Sequence, residues 1–287
     1  MSSSAVSKEA SSGGALPNAL ALTLLLPLVL LLAGAFITPI LVLLAESFFA
    51  PQFTLEHYVK GLTQPLYLGV LMRTIRTACV VTAMCFILGY PVALVMSRQK
   101  GRRVIYLAAC VLIPLWTSVL VRSYAWIVLL QRKGIVNNAL TELGFIGEPL
   151  KLLYTDAAVM LAMTHVLLPY MILPIYSALI AISPDLDKAA RNLGAGPVSS
   201  FFRVVFPNSL PGVYAGTIIV FILALGFYVT PALVGGPQSM TIATLIAQQT
   251  TELLNWPFAG ALAGILLAAT LGLVSVFGRF LRIGKGA

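Results

Sequence analysis

The chain has 287 residues, of which 59% are hydrophobic and only 9% charged, with a formal net charge of +9. A soluble domain carries about 25% charged residues, so a chain this apolar cannot solvate its own surface and lipid must cover much of it. The basic residues lie beside the apolar runs rather than on one soluble face, which sets aside nucleic acid as a partner and points to membrane orientation.

In chain order, residues 1–18 are rich in Ser, Gly and Ala and predict a disordered cytoplasmic tail. A bilayer core of about 30 Å needs about 20 helical residues, so the uncharged run at 20–45 predicts a first span at 20–44. That run is longer than the roughly 7–15 apolar residues of a signal peptide, which favours an uncleaved helix, and an external loop follows to residue 67. Uncharged runs at 78–97, 104–121, 157–184, 204–251 and 253–278 predict five more spans, near 72–96, 104–130, 157–181, 212–234 and 257–279. Pro114 and Arg122 interrupt the third. The fold class is an all-α membrane protein of about six transmembrane helices.

Several residues inside the spans carry possible chemistry. Cys79, Cys85 and Cys110 are odd in number and form no CxxC pair, so they read as small residues packed between helices, with no disulfide framework or metal site. His165 is the one titratable candidate in span four, as a functional group or as a helix-packing hydrogen bond. Pro169 and Pro174 each remove a backbone donor and predict a bend in the same span, as shape alone or as a hinge. Trp116, Tyr170, Phe227 and Tyr228 are candidates for a solute path, with plain packing as the alternative.

Charge sets the orientation. Arg98, Lys100, Arg102 and Arg103 crowd the short link between spans two and three, and Arg279, Arg282 and Lys285 follow the last span. With the N-terminal tail and the loop at 182–211, that side holds 11 Lys/Arg against 3 acids, and the opposite side 7 against 6. Lys/Arg excess marks the cytoplasm, so both termini are expected there, with residues 281–287 as a cytoplasmic tail.

The loop at 183–212 is the most informative soluble segment. Ser183 is a good N-cap, Pro184 suits the first helical turn, and Asp185 and Asp187 favour its positive end. Leu186, Ala189, Ala190 and Leu193 make an apolar stripe, and Gly194 ends the helix at a position expected to need positive φ. A second amphipathic helix is expected over Val198, Phe201, Phe202, Val205 and Phe206, stopped by Pro207 and Pro211 before span five begins at Gly212. Periodicity allows two readings: interfacial helices lying on lipid, or a docking element for a cytoplasmic partner.

The run Asp187-Lys188-Ala189-Ala190-Arg191-Asn192-Leu193-Gly194-Ala195, with Pro207 and Pro211-Gly212 downstream, resembles the EAA loop of ABC-importer permeases. The family's Glu falls at Lys188 here, and Asp187 stands one position earlier. Ile113-Pro114-Leu115-Trp116-Thr117 with Val121-Arg122-Ser123-Tyr124-Ala125-Trp126 resembles the third span of spermidine/putrescine-type permeases. Gly89-Tyr90-Pro91, Leu167-Leu168-Pro169-Tyr170-Met171 and Gly226-Phe227-Tyr228-Val229-Thr230-Pro231 follow in matching order. The resemblance covers 68–280 and implies a type I ABC importer transmembrane domain. It implies that Asp187, Lys188, Ala189, Ala190, Leu193, Gly194 and Pro207 form the ATPase-coupling loop. It further implies ATP-binding cassette partners, a second permease that is related but different, a periplasmic solute-binding protein and an inner-membrane location. The implied solute is a polyamine, with an opine, an aminophosphonate or another small zwitterion as the alternative.

No GxxxxGK[ST] phosphate loop occurs, so no cofactor is expected on this chain and ATP is expected on a separate subunit. No GxSxG, HExxH or paired-carboxylate constellation suggests an enzyme. None of the nine acids falls in the middle of a span, which disfavours an ion-coupled secondary carrier.

Overall fold

The computed structural model describes residues 18–49 and 52–283. All but the last residue of the expected N-terminal tail, and residues 284–287 of the C-terminal one, lie outside them. Among the described residues the chain is helical throughout, apart from loops and an isolated bridge between Phe49 and Phe53.

The first span is α1 (Asn18–Leu32) and α2 (Thr38–Phe48), joined through a π-helical turn at Ala33–Ile37. From Thr23 onward it is almost entirely outward-facing. A short α3 (Glu56–Thr63) leads into α4 (Pro65–Arg98), which Pro65 starts at a position where no intrahelical donor is missed. Then come α5 (Arg102–Trp116), α6 (Val119–Leu130) and α7 (Ile135–Glu142). The long α8 (Asp156–Ile180) starts at Thr155, whose hydroxyl accepts from the Ala158 N–H. The loop helix α9 (Pro184–Asn192) is followed by α10 (Pro197–Ser200), α11 (Phe206–Leu225), α12 (Val229–Val234), α13 (Ile242–Thr251) and α14 (Trp256–Ile283).

The core is the α4–α8–α11 trio, filled by Ala78, Val81, Cys85, Met163, Met171 and Val220 among others. Lipid tails are as apolar as Leu, so close backbone approach, not hydrophobic drive, holds such helices. Gly212 and Gly216, four apart on α11, face α8. A Cβ on Gly212 would stand 2.5 Å from the Pro174 carbonyl oxygen, and one on Gly216 2.8 Å from the Met171 sulfur. Gly260 and Gly264 repeat the spacing on α14, against Leu43 and Ser47 of α2 and against Tyr58 of α3. Tyr58 and Ser47 hydrogen-bond at 2.8 Å, fixing α3 to α2.

Three sequence expectations are corrected. The third span is broken, but at Thr117 and Ser118, whose extended backbone (ψ 145° and 136°) separates helices meeting at 97°. Pro114 sits in the last turn, where Thr117 closes on its carbonyl through both N–H and hydroxyl; Arg122 lies in the helical start of α6, its N–H bonded to the Ser118 carbonyl, and interrupts nothing. The second loop helix is not separate from span five: α10, a π-helical turn at Phe201–Val205 and α11 form one run over 197–225. The π turn shifts the register so that Phe206 bonds back to Phe201, and Asn208 Nδ2 donates to the Val204 carbonyl at 2.7 Å, so Pro207 leaves no break. At its far end the run stops at Leu225, not 234, because the chain turns at Gly226 and restarts as α12. Lastly, Cys85 is buried between helices, whereas Cys79 and Cys110 face outward. The helix α8 continues through both Pro169 and Pro174.

Candidate coupling loop and solute path

The loop carries its own fixed geometry. The Ser183 hydroxyl accepts from the Asp185 N–H at 3.3 Å, capping α9, and Lys188 Nζ pairs with Asp185 Oδ1 at 3.0 Å one turn along. The side chain of Asp187 lies outside what the structure describes. At the other end Gly194 adopts φ +87°. Its N–H bonds the Arg191 carbonyl and the Ala195 N–H bonds that of Ala190, the paired closure of a Schellman motif.

This geometry turns apolar groups outward. Leu193 is 89% exposed, and Leu186, Val198 and Phe202 are exposed with it. Lys188 and Ala189 are exposed beside them, and Pro207 lies exposed at the start of α11. A cleft of about 390 Å³ opens between α9 and the following run, lined by Ala190, Leu193, Gly194, Ser199 and Arg203. The exposed set is a row of apolar knobs over a shallow cleft.

Behind it, Phe201 and Phe206 of the expected apolar stripe are keyed to the bundle by two residues that periodicity did not single out, Tyr90 and Ser209. Tyr90 of α4 hydrogen-bonds Ser209 of α11 at 2.8 Å, both buried. Its ring meets Phe201 edge-on at 5.9 Å and lies 5.6 Å from Phe206. One packed aromatic group thus joins the run after the loop to α4 and α11. The Gly89-Tyr90-Pro91 motif was visible in the sequence; its partner across more than a hundred residues was not.

Three of the four path candidates sit at the two helix breaks. Trp116, 92% exposed, closes α5 beside Leu112, Ile113 and Thr117. Phe227 and Tyr228 form the turn between α11 and α12, the first half-buried on the core and the second exposed. Tyr170 is partly exposed on α8. Among the described residues no ring contact joins these four. Around them, α6 is tied to its neighbours by polar contacts: Ser123 bonds Thr230 of α12 at 3.0 Å, and Trp126 Nε1 donates to His165 Nδ1 of α8 at 3.2 Å. His165 thus makes the interhelical hydrogen bond that was one of its two sequence readings.

A bundle of five helices long and apolar enough to cross a membrane and one bent pair, with an exposed loop and no soluble domain among the described residues, marks a multi-pass membrane protein. The chain belongs to the family of binding-protein-dependent transport system inner membrane components, whose model matches residues 85–281. It is 34% identical over 222 residues to the spermidine/putrescine transport system permease protein PotB of Escherichia coli, covering 77% of this chain and 80% of that one. The PotB of Haemophilus influenzae is 35% identical over 239 residues, covering 83% and 82%. The inner membrane ABC transporter permease protein YdcU of Escherichia coli is 33% identical, covering 80% and 78%. In fold, the chain superposes on a bacterial ABC transporter involved in alginate import with TM-score 0.74 at 17% identity, covering 92% of this chain and 95% of that one. It also superposes on the MetNI methionine ABC transporter with TM-score 0.57 at 17% identity, covering 77% and 99%. The type I importer fold is therefore the fold of this chain, and the chain is a multi-pass inner-membrane protein.

Proposed function

We propose that the chain is one permease of an ATP-driven importer that carries a small cationic solute, a polyamine such as spermidine or putrescine, across the inner membrane. The observation that carries this reading is the likeness to spermidine/putrescine permeases across 77% of the chain. ATP is bound and hydrolysed by separate cassette subunits, and this chain is not an enzyme. Closure of those subunits presses on the apolar knobs of α9, where Asp187, Lys188, Ala189, Ala190, Leu193 and Gly194 lie, with Pro207 at the root of α11. The Tyr90–Ser209–Phe201 group passes the displacement to α4 and α11, and the spans switch access from periplasm to cytoplasm. A related but different permease completes the path, a periplasmic binding protein delivers the solute, and both termini lie in the cytoplasm.

The test is reconstitution of the permease pair, cassette subunits and binding protein in vesicles loaded with ATP. Uptake of labelled spermidine or putrescine that needs both ATP and the binding protein is expected. Uptake of an opine or aminophosphonate with none of either polyamine would replace the solute, and uptake without the ATPase would replace the mechanism by an ion-coupled one.

A further inference from the structure

Where α6 stops and α8 starts, the chain encloses a cleft of about 410 Å³. Part of its lining is apolar: Leu130 is buried, and Leu152 and Leu153 pack against the same core cluster. Arg132 and Lys151, both exposed, line it as well, and no carboxylate does among the described residues. A buried bracket sets its width. Asn137 of α7 is fully buried, and its Nδ2 donates to the Gln131 carbonyl at 3.2 Å and to the Leu150 carbonyl at 3.0 Å. Its Oδ1 accepts from the Leu150 N–H at 2.9 Å. Residues 131 and 150 are the chain neighbours of the two cations, so one amide side chain fixes how far apart their backbones stand. Tyr154 completes the cleft at φ +63°, a costly conformation for an aromatic residue, with its N–H on the Val234 carbonyl at 3.1 Å.

Two cations beside one cleft repel each other unless an anion lies between them. Neither is neutralised within the chain: the ion pairs among the described residues are Arg76–Asp156 and Lys188–Asp185. Glu142 and Glu148, the acids of the same segment, pair with neither cation and stay outside the lining. By the orientation read from charge this is the external end, where Arg132, Lys133 and Lys151 run against the bias that places basic residues inside. An external anion gives them a local reason to be there. The same segment exposes Ile135, Leu143, Phe145 and Leu150. The ligand that suits this surface therefore joins a negative group to an apolar body, at the level where spanning helices begin and end.

We propose that this cleft binds an anionic glycerophospholipid, with the phosphate between Arg132 and Lys151 and an acyl chain along Leu130, Leu152 and Leu153. Basic pockets between spanning helices hold such headgroups in membrane proteins, and a guanidinium offers phosphate two parallel N–H donors. A headgroup of net negative charge is preferred, because the ammonium of a zwitterionic one would meet the two cations. The site depends on neither the identity of the solute nor the ATPase.

The test uses the assembled importer, purified through a tag on this chain, in nanodiscs of equal parts phosphatidylglycerol and phosphatidylcholine. A trace of photoactivatable phosphatidylglycerol is added, and its cross-links are mapped by mass spectrometry. They should fall within residues 130–154 of this chain, and photoactivatable phosphatidylcholine should label that segment far less. Arg132→Gln combined with Lys151→Gln should lower the phosphatidylglycerol cross-links there by about ten-fold. Arg132→Lys keeps the charge and should stay within about three-fold of wild type, which separates charge from a folding defect. Lys133→Gln, which removes a neighbouring cation outside the lining, should also stay within about three-fold. Unchanged cross-linking in the double variant, or equal labelling by the two lipids, would overturn the proposal. Lys133→Gln losing as much as the double variant would reduce the site to diffuse surface attraction and likewise overturn it. Displacement of the lipid by an equal concentration of glycerol phosphate would assign the cleft to a free anion instead. Loss of binding-protein capture in the double variant with lipid labelling intact would assign it to a protein partner, and either result overturns the lipid.

Discussion

Gly194 shows how one backbone angle can fix the shape of an exposed loop. Its φ of +87° closes the Schellman turn, and nothing lies within 4 Å of where a Cβ would stand. A substitution there is strained by conformation alone, at about 1–2 kcal/mol for a side chain in the left-handed region, and more for a β-branched one. Gly194→Val should therefore leave the protein in the membrane, because the bundle core is untouched, but shift the angle at which Leu193 and α9 are presented. Solute-stimulated ATPase activity of the assembled complex should fall several-fold; stimulation equal to wild type would remove this loop from the mechanism. Lys188 behaves differently. It is exposed and pairs with Asp185, also exposed, and exposed pairs are worth only about 0–1 kcal/mol. Lys188→Glu should be nearly neutral for cassette-subunit binding in a pull-down, whereas Asp187→Lys should weaken it. Equal recovery of the ATPase with both would show that polar contact is unimportant at this end of the helix.

At the scale of helices, the controlling feature is the four-residue glycine spacing. Gly212 and Gly216 let α11 lie against the α8 backbone, where Pro174 and Met171 would meet any added side chain. Gly272 on α14 meets nothing within 4 Å and serves as the control. Gly212→Leu should lower the apparent melting temperature of the purified protein markedly, since overpacking costs about 1–3 kcal/mol or more, while Gly272→Leu should leave it nearly unchanged. Equal shifts would mean that close α8–α11 approach does not hold the bundle. Both glycine pairs were present in the sequence, and small-xxx-small spacing in an apolar run was the signal that could have found them. Span existence was legible because uncharged length alone specifies it. The ends of span five were not: local rules assign Pro207 and Pro211 to a helix stop, and only the π turn with the Asn208 side chain shows how the helix continues through them. The break in span three was legible as irregularity but not in place, because Thr117 and Ser118 carry no breaker signature of their own. The Tyr90–Ser209 contact and the burial of Arg122 depend on which helices meet, which no local pattern encodes.

For the whole molecule, orientation and affinity follow from where charge lies. Basic residues at 98–103 cluster where α4 ends and α5 begins, at the opposite end of α4 from Arg76, which pairs with Asp156 at the start of α8. A cysteine placed at Gly101 of a cysteine-free variant should resist an impermeant thiol reagent in intact cells; labelling before lysis would invert the topology. The same charge map bears on solute binding. A polyamine carries several positive charges, and removing water from them is costly unless carboxylates replace it. By the sequence reading no acid lies in the middle of a span, and Arg122 adds a buried cation beside Tyr170. What remains is aromatic: Trp116, Tyr170, Phe227 and Tyr228, whose cation–π contacts give about 0.5–2 kcal/mol each. Among the described residues no ring contact joins these four in the single chain. Even their sum would mostly offset desolvation, far short of the roughly 8 kcal/mol that micromolar affinity requires. A path that holds its cargo weakly releases it readily, and on the proposed function tight selection falls to the binding protein. The purified permease–ATPase complex, without its binding protein, should show no detectable binding of labelled spermidine at about micromolar concentration, corresponding to that same 8 kcal/mol. Saturable micromolar binding would mean that the assembled pair brings acids into the path that this chain lacks, and that the permease itself selects the solute.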